Sequence, residues 1–495
     1  MGCVMSYTNP RHEARLLLIP HLRDPFASMH VYEATPGSVA VVLERDDSKI
    51  SYRVAEVGGG NDRDLFNFPF LLHANGEPWH EANDYLLSLM RGKAPINRRT
   101  DDVRRRASKL LDYLLFCEHS SLNWLDFSGA RPPHRPTYRY FYHLINEGVR
   151  SNQVINQYTA AVYHFYKYVS ESWHELDMKR VDTIKQVRFL VQGSKGTKVI
   201  DTEKRSQTRR TLPISSVPLG FVREDGEDLR PLSNRELGVF LGTITNEKEW
   251  SALERLILLT SLMTGARKQT VLTMRLKHLK GFTQGKLLPE GAYKLHAGPR
   301  TGIDTKFDKP QGLYFPKQLA EELVTLARST MMKTRREKLR AQLEADHPGL
   351  SISEDDMYLF LSDQGNCYYM AKSDPRYTIV KSPQTGQVTE TIKRKLEKKA
   401  IAKFPSDFSY HWLRATYAFQ LYQRLQPLVQ EGGLKPGEDI DFIQRRMHHE
   451  DRMTTENYLK LFKMTPEKVM AQEAWENKLF SNSGYNVLNI KAQDE

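Results

Sequence analysis

The sequence predicts a mainly α chain with small β-sheets: a small N-terminal accessory region, then a helical bundle, then a larger mixed α/β domain. Three observations predict it. From about residue 83 to 172, apolar residues recur at helical spacing. Trp250 to Met263 is a strongly apolar run that stops at Gly265, a helix-ending signal. Between Tyr293 and Pro316, two strand-like runs enclose a polar turn.

Composition bounds the function classes. The chain has 495 residues, enough for two or three domains with cores of their own. Hydrophobic residues make up 40% and charged residues 27%, so the chain is globular rather than disordered. A formal charge of +12 favours a polyanionic partner, although ribosome-associated and membrane-surface proteins share such a balance. Cys3, Cys117 and Cys367 are far apart and lack C-x-x-C spacing, which argues against a disulfide framework or a zinc site and fits a reducing cytosol. No run of 18 apolar residues exists, so no transmembrane helix and no membrane partner are expected. Met1-Gly2-Cys3-Val4-Met5-Ser6 matches the M-G-x-x-x-S myristoylation pattern, but that pattern is short and needs a eukaryotic cell.

Taken in order, residues 1–82 form the accessory region, with strand character at Val39 to Leu43 and Ile50 to Val57. Gly58-Gly59-Gly60-Asn61-Asp62 lacks G-K-[ST] and reads as a connection rather than a phosphate loop. Residues 83–175 form the helical domain. Leu110, Leu111, Leu114 and Leu115 mark one apolar helix face. Residues 85–175 hold 13 Lys plus Arg against eight Asp plus Glu, a net of +5, and the basic run includes Arg98, Arg99, Arg104, Arg105 and Arg106. Residues 176–228, polar and broken by Gly and Pro, read as a basic linker carrying Arg209 and Arg210. The α/β domain spans 229–482, and 483–495 is a tail. Ser233 and Glu236 fit a capping box that opens this domain. Glu354-Asp355-Asp356 is acidic but lacks further ligands at metal-binding spacing, so no metal or other cofactor is expected.

Four short motifs then occur in one order. Thr264-Gly265-Ala266-Arg267 is T-G-x-R after an apolar helix. The turn between the two strands carries Lys306 and Lys309. His411-Trp412-Leu413-Arg414 is H-x-L-R. Met447-His448-His449 is followed by Thr454-Thr455-Glu456-Asn457-Tyr458, with nine residues from His449 to Tyr458. Each motif alone is unremarkable; a Tyr after a short turn is usually a packed aromatic. Together and in this order they resemble the catalytic boxes of the tyrosine recombinases (phage-integrase family). The resemblance covers Leu229 to Lys478 well and Asn83 to Val169 more loosely, where the helical domain is similar to that family's core-binding domain.

The resemblance implies a fold, an activity and roles. The family breaks and rejoins DNA through a 3′-phosphotyrosyl link without a metal. Tyr458 would attack the scissile phosphate. Arg267 and Arg414 would clamp its nonbridging oxygens, a task suited to fixed guanidinium forks. His411 would aid proton transfer at Tyr458, and His449 would donate to the phosphate. Lys306 or Lys309 would protonate the 5′-oxygen, with Arg300 a third candidate. Arg98, Arg99, Arg104, Arg105, Arg106, Arg209 and Arg210 would contact phosphates. The implied partners are double-stranded DNA, other protomers in a tetramer on paired sites, and element-encoded accessory factors; the implied place is the cytoplasm, at the nucleoid. Two departures stand out. The family's first box usually reads R-x-x-E, and here Thr270 replaces the acid. His448 stands where Gly is usual. A non-catalytic DNA-binding protein on this fold, a type IB topoisomerase and a telomere resolvase are the competing readings. Beyond Tyr458, Thr465-Pro466-Glu467 opens a helix with Ala471, Trp475 and Leu479 at four-residue steps, expected to dock on a neighbouring protomer.

Overall fold

The computed structural model describes residues 14–26, 29–31, 41–45, 48–54, 64–94, 97–193, 196–211, 217, 220–224, 226–246, 248–435, 437–450 and 452–462. Met1 to Ser6, the loop at Gly58 to Asp62 and the helix expected from Thr465 lie outside the described residues. The chain is largely helical with small antiparallel sheets, as its patterning predicts. It divides into two compact units, one of residues 1–214 with 375–382 and one of 215–374 with 383–495. No described helix is long and apolar enough to cross a membrane.

In the first unit, β1 (Leu16–Leu22) pairs antiparallel with a later strand, Leu65–Leu71. Between them a three-stranded sheet is built from β2 (Met29–Val31), β3 (Val41–Arg45) and β4 (Ser48–Val54), close to the expected strands. The Leu65–Leu71 strand, β5, leads into α1 (His80–Ser88), α2 (Asp101–His119), α3 (Pro136–Asn146) and α4 (Asn152–Ser172). Along α2, Val103, Ala107, Leu110, Leu114 and Cys117 are buried, the three- and four-residue spacing of one helical face. They meet Ile155, Val162, Phe165 and Val169 of α4. Ser151 caps α4, its side chain accepting from Val154 N. Leu65, Phe68 and Leu71 of β5 join this same core. Asn83 seals the junction, with Oδ1 accepting from Leu71 N at 2.8 Å and Nδ2 donating to Leu71 O at 2.9 Å. So β5 and the start of α1 are built into the helical core, although the sequence places residues up to 82 in a separate accessory region.

The expected linker over 176–228 holds regular structure. A short helix, α5 (Met178–Val181), precedes a hairpin of two ten-residue strands, β6 (Ile184–Gly193) and β7 (Gly196–Arg205), paired from Ile184–Arg205 to Gly193–Gly196. Its apolar residues are interspersed irregularly among Lys, Gln, Arg, Thr and Glu, and that polarity is what reads as linker in sequence. In the second unit a smaller hairpin follows, β8 (Val222–Glu224) with β9 (Glu227–Leu229).

The second unit then runs through α6 (Asn234–Ile244) and α7 (Ala252–Thr264). Both begin with capping boxes, Ser233–Glu236 and Ser251–Glu254. Leu253, Leu256, Ile257, Leu258 and Leu262 bury α7 among its neighbours. Gly265 ends it at φ 68°, and a Cβ there would sit 2.5 Å from a ring carbon of Tyr417. Gly265→Ala is therefore expected to cost about 2–4 kcal/mol, left-handed strain plus overpacking. Urea unfolding measures it, and an unchanged midpoint would refute the packing described. Two short helices follow, α8 (Lys268–Leu272) and α9 (Leu276–Leu279). Next come the expected two strands, β10 (Ala292–Ala297) and β11 (Gln311–Pro316), antiparallel with Tyr293, Leu295, Leu313 and Phe315 inward. Helices α10 (Lys317–Arg328), α11 (Thr330–Asp346), α12 (Val388–Lys399), α13 (Trp412–Gln430), α14 (Glu438–Met447) and α15 (Arg452–Phe462) complete the unit. The acidic triplet is engaged by cations: Glu354 by Arg336 and Arg340, Asp355 by Lys280, and Asp356 by Lys277.

Candidate active site

Five residues singled out in the sequence converge in the second unit, four of them delivered by element ends and Tyr458 from within a helix. Arg267 leaves the chain just after the Gly265 stop and starts α8. Its guanidinium bonds Glu224 Oε1 at 2.5 Å. His411 and Arg414 come from the first turn of α13, His411 standing at the N-cap. Arg414 is 2% exposed and is held by two carbonyls, donating to Gly265 O at 2.6 Å and Met447 O at 2.5 Å. His449 follows the end of α14, and Tyr458 sits within α15. Their rings stack at 5.3 Å and 27°. His449 Nδ1 is 3.0 Å from Thr455 Oγ1, so the first half of the T-T-E-N-Y motif orients the imidazole that the second half stacks on.

The residue these groups surround is Glu224, on β8. The Tyr458 hydroxyl donates to its Oε2. Arg414 Nε is 3.6 Å and His449 Nε2 3.9 Å from its Oε1. Glu224 falls within the 176–228 stretch that reads as linker, and no motif around it marks it as part of a site. The available signal is the missing acid at Thr270: a partly buried Arg267 needs a counter-ion, and the box does not carry one. Thr270 instead donates its hydroxyl to Asp304 O at 2.9 Å, tying α8 to the β10–β11 turn. Glu227, on the same small hairpin as Glu224, lies 3.8 Å from His411 Nδ1 and accepts from Ser409 Oγ.

His448 faces elsewhere. It adopts the left-handed conformation, φ 53° and ψ 39°, which explains why a glycine is at home at this position. His is one of the few side chains enriched there, and His448 Nε2 is 3.1 Å from Gly312 O on β11. An open groove of about 390 Å³ beside it is lined by Lys294, His296, Tyr314, Arg445 and Arg446, with the Arg446 guanidinium 3.3 Å from the Tyr314 ring centre.

The β10–β11 turn carries the lysine candidates. Lys309 pairs with Glu450, next to His449. Lys306 lies over the exposed ring of Phe307, 4.9 Å from its centre. Arg300, Phe307 and Asp308 all have positive φ, so the turn is tightly folded.

The arginines of the first unit divide into two groups. Arg98 Nε donates to Lys93 O, Arg99 to Asp101 and Tyr377 O, Arg104 to Asp101 and Lys381 O, and Arg106 to Tyr85 Oη. These side chains hold the unit's own fold together. Arg105, paired with Asp102, stays 70% exposed, and Arg209 and Arg210 are exposed.

The charges in the cluster are strongly coupled. Burial would raise the Glu224 carboxyl, but Arg414 and Arg267, and then His449, hold it far below the usual carboxylate range. Burial, then the Glu224 carboxylate, push the Tyr458 phenol well above its ordinary value. Burial and then Arg414 push His449 down to about 3, and His448 down to about 4. His449 is thus neutral at pH 7. Its folded value lies below its unfolded value of 6.5, so its contribution to stability is complete above about pH 6.5 and is lost as the pH falls toward about 3. The unfolding free energy is expected to fall from pH 7 to pH 4, with a shallower fall in His449→Gln. Denaturant titrations across that range test this, and equal slopes would mean the ring is not buried in its neutral form.

No family model matches the chain, and no curated protein does. Solved structures are similar to it. The XerH site-specific recombinase bound to palindromic difH substrate is 16% identical, with a TM-score of 0.37 over 77% of this chain and 85% of that one. The Tn1549 transposon integrase in complex with circular intermediate DNA is 13% identical, with a TM-score of 0.34 over 76% and 94%. XerA recombinase is 13% identical, with a TM-score of 0.27 over 80% and 98%.

Proposed function

We propose that the chain is a tyrosine-type site-specific DNA recombinase, the integrase of a mobile element. The observation that carries this reading is the convergence of one tyrosine hydroxyl, two guanidiniums and an imidazole on a single oxyanion position. Transfer of a phosphodiester to a side chain needs that set: a nucleophile, fixed cations for the charge that develops on phosphorus, and groups that move protons. In this reading Tyr458 Oη attacks phosphorus and the bond to the 5′-oxygen breaks. Arg267 and Arg414 hold the nonbridging oxygens. His411 takes the phenol proton, His449 donates to the phosphate once a substrate is bound, and Lys306 or Lys309 gives a proton to the departing 5′-oxygen. Rejoining is the reverse, with a new 5′-hydroxyl as nucleophile.

The first unit acts as the DNA-binding domain, with Arg105, Arg209 and Arg210 the first candidates for phosphate contact because they are exposed. The groove lined by Lys294, Arg445 and Arg446 beside His448 extends the basic surface next to the site. The working form is a tetramer on paired sites, in the cytoplasm at the nucleoid, with element-encoded accessory factors as further partners.

The test uses a duplex spanning the boundary of the element that carries this gene, nicked close to the cleavage position so that the released fragment diffuses away and traps the intermediate. A covalent adduct stable to denaturing detergent and insensitive to EDTA is expected. A strict requirement for a divalent metal, with no adduct, would point to a hydrolytic nuclease. Relaxation of supercoiled DNA without strand exchange between sites would favour the topoisomerase reading.

A further inference from the structure

The centre of this cluster is occupied by the chain itself. Glu224 is 8% exposed and places one carboxylate among Arg267, Arg414, His449 and Tyr458. That is the position a scissile phosphate takes in the reading above. The fit is incomplete in an informative way. Arg414 Nε and His449 Nε2 are buried and make no hydrogen bond, yet both lie within 3.9 Å of the same Glu224 oxygen. Buried polar atoms are ordinarily satisfied. A planar carboxylate offers two oxygens in one plane and engages Arg267 with one and Tyr458 with the other. A phosphodiester is tetrahedral and directs its oxygens out of a single plane, toward more of the surrounding donors. The pocket therefore holds polar groups that the carboxylate does not fully engage.

The nucleophile is held in its resting form by the same contact. The Tyr458 hydroxyl gives its hydrogen to Glu224 Oε2, and the adjacent negative charge opposes loss of that proton. Two anions cannot share so small a buried site, because at close range in a low dielectric their repulsion far exceeds its value in water. The backbone around Glu224 is anchored independently. Trp412 Nε1 donates to Asp228 O at 3.2 Å, and the Arg230 guanidinium stacks on Trp412, 4.3 Å from the ring centre. Glu227 is tied to Ser409. The Glu224 side chain can thus change position without the hairpin leaving.

We propose that Glu224 is a further active-site residue. In the DNA-free protein it fills the phosphate position, neutralises Arg267 and Arg414 and restrains Tyr458; the scissile phosphate replaces it. This rests on the recombinase reading for the identity of the displacing group, but the pocket's affinity for a tetrahedral oxyanion can be measured without DNA. The alternative role is purely supportive: Glu224 would orient Arg267 in every state, as the acid absent at Thr270 would.

The two roles give opposite results in Glu224→Gln, which keeps the shape and removes the charge. Without its counter-ion, Arg414 is left buried and uncompensated, so the variant melts below wild type in buffer containing chloride alone. Inorganic phosphate or vanadate, added at constant ionic strength, is expected to restore it, with a rise of about 3 °C at ten times the anion's Kd against less than about 1 °C for wild type. The initial rate of adduct formation on the nicked duplex is expected to rise by about threefold or more, since the phosphate no longer competes with a resident carboxylate. An anion response equal to that of wild type together with slower adduct formation would overturn the proposal in favour of the supportive role. If wild type and variant both form no adduct while the variant still responds to phosphate, the recombinase reading fails and the occupied oxyanion pocket stands. Should Glu224→Gln not fold, Glu224→Ala, which also removes the charge and vacates the pocket, is held to the same pair of outcomes.

Discussion

Tyr458→Phe is expected to abolish covalent adducts completely while leaving DNA affinity within about twofold of wild type, a difference well under 1 kcal/mol. Only one oxygen is removed. The ring of Tyr458 is fully buried and stacks on His449, and phenylalanine preserves both contacts. The lost hydroxyl was a donor to Glu224, which still accepts from Arg267, so the stability change is limited to about 1 kcal/mol. Binding is governed by phosphate contacts spread over the basic surface, which the substitution does not touch. The nick-trapped duplex gives the answer directly on a denaturing gel. Adduct formation by Tyr458→Phe would remove Tyr458 from the role of nucleophile.

Arg414→Lys is expected to combine two losses. The guanidinium spans Gly265 O and Met447 O and still directs Nε toward the oxyanion position. A lysine keeps the charge but has a single ammonium on a flexible stem and cannot make this planar, three-way arrangement. Loss of a preorganised donor from an oxyanion site slows the chemical step by about 10²–10³. Leaving a buried carbonyl without its donor costs about 1–3 kcal/mol in stability. Single-turnover adduct formation at saturating protein separates the first effect from the second, because unfolded protein is scored independently by denaturant titration. A rate within about threefold of wild type would place Arg414 in a structural role only.

Much of the architecture is legible in the sequence. The apolar spacing along Val103 to Phe116 marks α2, the Ser233-x-x-Glu236 signal marks the start of α6, and the apolar run from Trp250 with its stop at Gly265 marks α7. Each of these is a local signal: a face repeating every three or four residues, a side chain reaching its own backbone three residues away, a conformation open to glycine. The β6–β7 hairpin was not readable. Its strands, IKQVRFLVQG against GTKVIDTEKR, mix apolar and polar residues without a regular alternation. The separation of residues 1–82 from the helical core also misled, because nothing local in Leu65 to Leu71 says that this strand packs against α2.

For the site, the sequence alone determined which residue types are present and in what order: a T-G-x-R, an H-x-L-R, a His pair and a Tyr nine positions on. Motif spacing suffices for that because the first three lie at helix ends and Tyr458 lies within one short helix, where short sequence dictates local geometry. Tertiary structure alone decided three further matters. It turned His449 toward Tyr458 and His448 toward Gly312, because the left-handed residue at 448 reverses the direction of successive side chains. It committed Arg99 and Arg104 to carbonyls of residues 377 and 381, so a basic run in sequence became in part internal scaffolding. It also supplied the missing acid from Glu224, 43 positions before the arginine it pairs with. Charge balance in a buried site requires a counter-ion within a few ångströms but places no demand on where in the chain that counter-ion comes from.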